Sequence, residues 1–222
     1  MSQRGDVRNG SGMSYTVGMA DEHPSLRSEQ VAQTRAALVS AGRRLFGASG
    51  FAATSVEDIA REARVTTGAL YHHFPTKAAV FEAVFEQVHA ELLAASMSAA
   101  ADGGDIVDLL LAGFGVFLDQ VLEPEVQRIL LTDAPAVLGL TRFIELDERY
   151  AFPATVAALT AANEAGTLRV DDPPTLARLL LGALTRAGLL IAGSAEPTAT
   201  RDAVAVTLRA LITGFAPRPH RA

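Results

Sequence analysis

The 222-residue sequence contains no cysteine and a single lysine, Lys77. Without cysteine there are no disulfides, no thiol nucleophile and no cysteine-ligated zinc, and the chain is compatible with a reducing cytoplasm. Long apolar runs are also missing. Residues 1–24 hold no secretory h-region and read as a flexible arm. The most apolar segment, LARLLLGALTRAGLLIAG, is interrupted by Arg178 and Arg186, so no uncharged stretch of about 18 residues is available to span a bilayer. A soluble, cytoplasmic protein with no membrane partner is expected. HExxH, GxSxG, the P-loop and the dinucleotide fingerprint are absent as well, and the expectation is no enzyme, no cofactor and no metal.

What the sequence does have is helical periodicity from about residue 28 onward, without a strand pattern. Segments near 28–49, 54–63, 67–73, 77–101, 105–121, 124–138, 141–165, 174–193 and 198–214 predict an all-α fold of about nine helices. Gly50 is a stop for the first. Thr54 followed by Glu57 matches a capping box for the second, Thr66 caps the third, and Pro75 with Thr76 ends the third and opens the fourth. Pro135 and Pro153 are candidate bends.

Charge divides the chain. The net charge is -6, yet residues 25–78 hold seven Lys/Arg against four Asp/Glu, while residues 79–222 hold ten against eighteen. A modestly basic module precedes an acidic one.

Two helices of seven to ten residues joined by a tight turn are marginal alone and must pack on a third. By spacing, this layout fits a generic helical corner or a helix-turn-helix unit about equally. The residue types favour the second. Thr66, Thr67, Gly68 and Ala69 are small enough for backbone to approach base edges, and Tyr71 carries a phenol able to reach phosphate. The starts of the second and fourth helices, with Thr54, Ser55 and Lys77, suit phosphate. The adjacent His72 and His73 project about 100° apart on a helix, which disfavours one shared metal; His72 is expected outward and His73 packed beside Phe74.

The stretch TSVEDIAREARVTTGALYHHFPTKAAVFEAVF resembles the DNA-binding region of the TetR family of bacterial transcriptional regulators. The likeness is carried by Thr54, Ile59-Ala60, Val65-Thr66, Gly68, Tyr71, His73-Phe74 and Lys77, within residues 35–85. It implies phosphate contacts from Thr54, Ser55, Tyr71 and Lys77, and base-edge or nearby contacts from Thr66, Thr67, Gly68, Ala69 and His72. Two positions depart from the family pattern: Arg64 stands where glycine is usual in the turn, so a non-glycine residue would take positive φ, and Val80 stands where leucine is common. Arg64 reads as a solvated turn residue ahead of a DNA contact.

The resemblance also implies an organisation. Residues 25–78 would form the helix-turn-helix domain, 79–216 a ligand-binding and dimerisation domain, and 217–222 a flexible tail. The last two helices would meet their mates in a homodimer that binds double-stranded DNA at a palindromic operator. A cavity among the middle helices would take a small apolar or aromatic effector, with His89, Phe114, Phe117, Leu118, Leu131, Asp133, Phe143 and Tyr150 as candidate lining. Arg149 and Asn163 are further polar candidates. The expected output is repression relieved by ligand; activation, or constitutive DNA binding without an effector, is the alternative.

Overall fold

A computed structural model describes residues 26–100 and 104–217, the side chain of Ala100 excepted. The expected arm, 1–24, and the tail beyond Pro217 lie outside the described residues. Among these residues every regular element is helical.

Helix α1 (Leu26–Ala53) is broken near its end by Gly50, at φ 82° and ψ 166°, a backbone conformation in which a Cβ would be strained. After it come α2 (Val56–Glu62), α3 (Thr67–His73) and α4 (Lys77–Ala100). Leu38, Phe46, Ile59, Leu70, Val80 and Phe81 are fully buried and join these four helices into one small core. At its base Phe46, Phe51 and Phe81 form a triad with ring centroids 5.3–5.7 Å apart, geometries that favour aromatic pairs beyond simple burial.

The capping box of α2 lies one residue later than expected. Ser55 Oγ accepts from the Asp58 N–H at 3.0 Å, and the Asp58 carboxylate accepts from the Ser55 N–H and hydroxyl. Thr54 is instead buried, with its hydroxyl donating to the Gly50 carbonyl at 2.8 Å. Glycine at the break leaves that carbonyl without a helical partner, and Thr54 supplies one.

The second part contains α5 (Ile106–Gln120), α6 (Pro124–Val126), a π-helical stretch (Gln127–Asp133), α7 (Ala134–Leu138), α8 (Leu140–Glu164), α9 (Pro173–Ala192) and α10 (Pro197–Thr213). Elements α6 and α7 with the π stretch between them form the single rod expected over 124–138. Its widened turn sits just before Pro135, which lacks an N–H and whose ring collides with the α-helical carbonyl four residues back. Pro153 lies inside α8 without ending it.

This rod ties the two parts together. Arg128 donates to the carbonyls of Gly47 and Ala48, and the Asp133 carboxylate accepts the Phe51 N–H at 2.7 Å. Arg43 of α1 bridges Glu125 and Glu91 at 2.6 and 2.5 Å. On the rod's other side Leu131 reaches into the space left by Gly188 of α9, next to Phe117.

Helix α9 is long and apolar enough to cross a membrane by length and composition. Its Leu180, Leu181, Leu184, Ala187 and Ile191 are nevertheless packed into the protein, and Arg178 and Arg186 interrupt it.

Candidate nucleic-acid interface and ligand cavity

The joint between α2 and α3 is four residues long, Ala63 to Thr66. Ala63 and Val65 donate to the carbonyls of Ile59 and Ala60 at 2.9 Å, and Arg64 takes φ 59°, as the missing turn glycine predicted. Burial of Ile59, Ala60 and Leu70 then fixes α3 against α2 and α1. Thr66 caps α3, its hydroxyl accepting from the Ala69 N–H at 3.1 Å.

With Leu70 facing in, α3 turns Thr66, Gly68, Tyr71 and His72 outward, with Thr67 and Ala69 half-buried at its edges. Tyr71 is 50% exposed, an uncommon position for a large aromatic ring without an external partner. A Cβ added at Gly68 would meet only Thr66 Oγ1, at 3.9 Å, so nothing within the protein demands glycine there. His73 is half-buried and Phe74 buried beneath the Arg35 guanidinium. The two histidine rings stand edge to face, 5.7 Å apart, on different sides of α3.

Three expected phosphate contacts change. Thr54 is only 4% exposed and occupied with Gly50, so its hydroxyl cannot reach a phosphate. Lys77 donates to the carbonyls of Phe51 and Thr54, both at 2.8 Å, and lies 4.2 Å from the Phe51 ring centre. Carbonyls at the end of α1 that lack α-helical partners attract a cation, and the lysine staples α4 to α1 instead of standing free for DNA. Ser55 remains at the surface side of α2, but its hydroxyl is engaged in the cap. The Asp58 carboxyl is held below its ordinary range, first by Ser55 and then by Arg61. In contrast, the Arg64 side chain is exposed and has no hydrogen-bonded or ionic partner among the described residues.

A cavity of about 260 Å³ lies between α4, α5, α8 and α9. Of the candidate residues, His89, Phe114, Phe117 and Tyr150 lie in its wall. Leu118, Leu131, Asp133 and Phe143 do not. Leu118 is buried in the core, Leu131 fills the notch at Gly188, Asp133 holds the Phe51 N–H, and Phe143 packs on Phe85 with centroids 5.9 Å apart. Arg149 is paired with Glu86 at 2.6 Å, and Asn163 exchanges two hydrogen bonds with the Val170 backbone, so neither is lining.

Sequence reasoning missed Ser96, Asp147, Thr155 and Thr185, which also line the cavity. On α8 Tyr150 and Thr155 follow Asp147 by three and eight residues, so the helical period offered a signal. His89 is buried with acceptors at both nitrogens: Nδ1 lies 3.2 Å from the Phe85 carbonyl and Nε2 3.1 Å from Asp147 Oδ1. Its ring also packs on Phe85 and Tyr150. Burial, with Glu86 nearby, pushes the Tyr150 phenol above its usual range.

Comparison with known proteins follows the same division. Residues 38–84 match the family model described as "Bacterial regulatory proteins, tetR family", and residues 107–215 match "Tetracyclin repressor-like, C-terminal domain". A crystal structure of a TetR-family transcriptional regulator from Pectobacterium atrosepticum is 31% identical with a TM-score of 0.75, covering 86% of this chain and 98% of that one. The Transposon Tn10 TetC protein of Escherichia coli is 25% identical over 72% of this chain and 81% of its own length. The regulator TtgR of Pseudomonas putida is 41% identical over 61 residues, 28% of this chain and 29% of its own. RolR, solved in complex with resorcinol, shares the fold at a TM-score of 0.69 and 18% identity, over 87% of this chain and 97% of its own.

Proposed function

The chain belongs to the TetR family of bacterial transcriptional regulators, and from that premise we propose that it is a repressor, released from DNA by a small apolar or aromatic effector. In this reading residues 25–78 form the DNA-binding domain and 79–216 the ligand-binding and dimerisation domain. The protein acts as a cytoplasmic homodimer on a palindromic operator, without a catalytic role.

The observation that carries the reading is the outward row of α3. Thr66, Thr67, Gly68, Ala69 and His72 enter the major groove, and Tyr71 reaches the phosphate backbone, with Ser55 at the edge of the contact. Arg64 joins them as a phosphate contact, because it is the exposed, unpaired cation beside α3 and its raised φ holds it at the turn.

Helix α4 supports the allosteric part. It starts at Lys77, beside the DNA-binding core, and reaches the cavity at His89, roughly 18 Å further at 1.5 Å per residue. An effector that fits the cavity in only one position of α4 favours one separation of the two recognition helices, and the operator favours the other. RolR, whose fold this chain shares, was solved with resorcinol, a small aromatic molecule of the kind proposed here.

Operator protection in rising salt tests the DNA reading. Affinity is expected to fall steeply, with a log–log slope of roughly -0.9 per neutralised phosphate. Arg64→Gly is expected to reduce that slope by about one per protomer while relieving the positive-φ strain of about 1–2 kcal/mol. A salt-independent interaction, or a slope untouched by the substitution, speaks against phosphate clamping at α3 or at Arg64, respectively. Addition of cell metabolites to the same assay should release the operator; if no small molecule alters affinity, the allosteric part fails.

A further inference from the structure

We propose that the cavity selects its effector through a hydrogen-bond donor, a hydroxyl or amino group on an apolar body, and rejects carboxylates. The proposal rests on reading this cavity as the effector site.

The hydrogen-bonding capacity left in the wall after the protein has satisfied itself is mostly accepting. Ser96 donates its hydroxyl proton to the Gly113 carbonyl at 3.1 Å, Thr155 to Ala151 at 2.9 Å, and Thr185 to Leu181 at 3.2 Å. A hydroxyl has one proton to give, so these three oxygens offer a ligand only their lone pairs. His89 has nothing to offer either. Its Nε2 lies against Asp147 Oδ1 and its Nδ1 is turned to the Phe85 carbonyl, so neither nitrogen is left for a ligand.

Asp147 is the centre of the site. Its Oδ1 faces His89, while its Oδ2 has no partner among the described residues. Its side chain is 25% exposed, and it is the carboxylate among the lining residues. Neither lysine nor arginine lines the cavity among the described residues, and the nearby Arg149 is occupied by Glu86. Among the described lining residues Tyr150 alone keeps a hydroxyl proton that the protein does not use, its oxygen being the partner of Arg149.

Acceptors therefore dominate the wall, and one of them is ionised. A ligand carrying O–H or N–H meets Asp147 Oδ2 in a charge-assisted hydrogen bond. An ether of the same shape leaves that oxygen desolvated and unpaired. A carboxylate is worse placed, because no lysine or arginine lines the cavity among the described residues, His89 is already paired with Asp147, and the incoming charge would lie beside a like one. The remaining wall, including Leu92, Leu110, Phe114 and Phe117, accepts an apolar body, and about 260 Å³ accommodates a two-ring molecule.

Calorimetric titration of the full chain with 4-hydroxybiphenyl, 4-methoxybiphenyl and biphenyl-4-carboxylate tests the proposal, since the three differ in one group. The hydroxyl compound is expected to bind about 10-fold or more tightly than the ether, with no heat from the carboxylate. Asp147→Asn is expected to weaken the hydroxyl compound about 10-fold and leave the ether within about 3-fold of its wild-type affinity. Ether or carboxylate binding as tight as that of the hydroxyl compound overturns the donor rule while leaving the cavity as the effector site. Failure of all three to bind the wild-type chain overturns both.

Discussion

Phe81→Ala is expected to destabilise the protein by about 3–5 kcal/mol, a large part of the 5–15 kcal/mol that holds a typical domain. Phe81 is fully buried on α4 and meets Phe46 edge-on at 5.3 Å and Phe51 at 5.5 Å. Truncation removes both ring contacts and opens a cavity that α1 and α4 cannot close, since Lys77 and Asp133 pin the chain at Phe51. Denaturant unfolding should show the midpoint falling with little change in slope. Phe81→Leu, which refills much of the space, should recover a large share of the loss. Because Phe81 lies away from the outward row of α3, the folded fraction of either variant should still bind operator. A loss under about 1 kcal/mol in Phe81→Ala would show that the triad does not hold the two helices together.

The second large effect concerns assembly. Helices α9 and α10, with Phe215 just beyond α10, leave Leu179, Leu189, Leu190, Leu211 and Phe215 between 39% and 66% exposed, an apolar face on the elements proposed to meet their two-fold mates. Leu190→Glu places a charge there twice in a symmetric dimer. At about 2 kcal/mol or more per copy, the dimer Kd should rise by about 10³-fold or more. Sedimentation should then find monomers at micromolar concentration, with helical content unchanged because neighbouring Ile191, not Leu190, is the core residue. Operator affinity should collapse with it, since one recognition helix reads too few base pairs for useful specificity. A variant that remains dimeric and binds operator normally would remove α9 from the interface.

These outcomes rest on features of unequal legibility. The helices, the short α2–α3 pair and the strain at Arg64 were readable because each depends on neighbours in sequence: an apolar period, a cap or a missing glycine. Local signals become ambiguous where two adjacent residues share a chemistry. Thr54 and Ser55 are equally good caps on paper, and the choice between them followed from Gly50, whose free carbonyl claimed the threonine. Lys77 shows the same limit. Its position opening α4 was evident, but its use was settled by the end of α1, more than twenty residues away, where two carbonyls lay within 2.8 Å.

The cavity was least accessible to sequence. The concentration of aromatics in the middle helices pointed to Phe114, Phe117 and Tyr150, and an apolar period marks which face of a helix turns inward. It does not say which inward residues fill space and which border a gap. Leu118 and Phe143 face inward and became core; Asp147 and Thr155 do so too and became wall. The sequence by itself therefore determined an all-helical chain with a helix-turn-helix unit and its outward residues, because those follow from local backbone preference and periodic burial. Only the tertiary structure decided the roles of Thr54 and Lys77, the π-helical joint and the acceptor-lined cavity, because each arises where helices distant in sequence either satisfy one another's polar groups or fail to close the space between them.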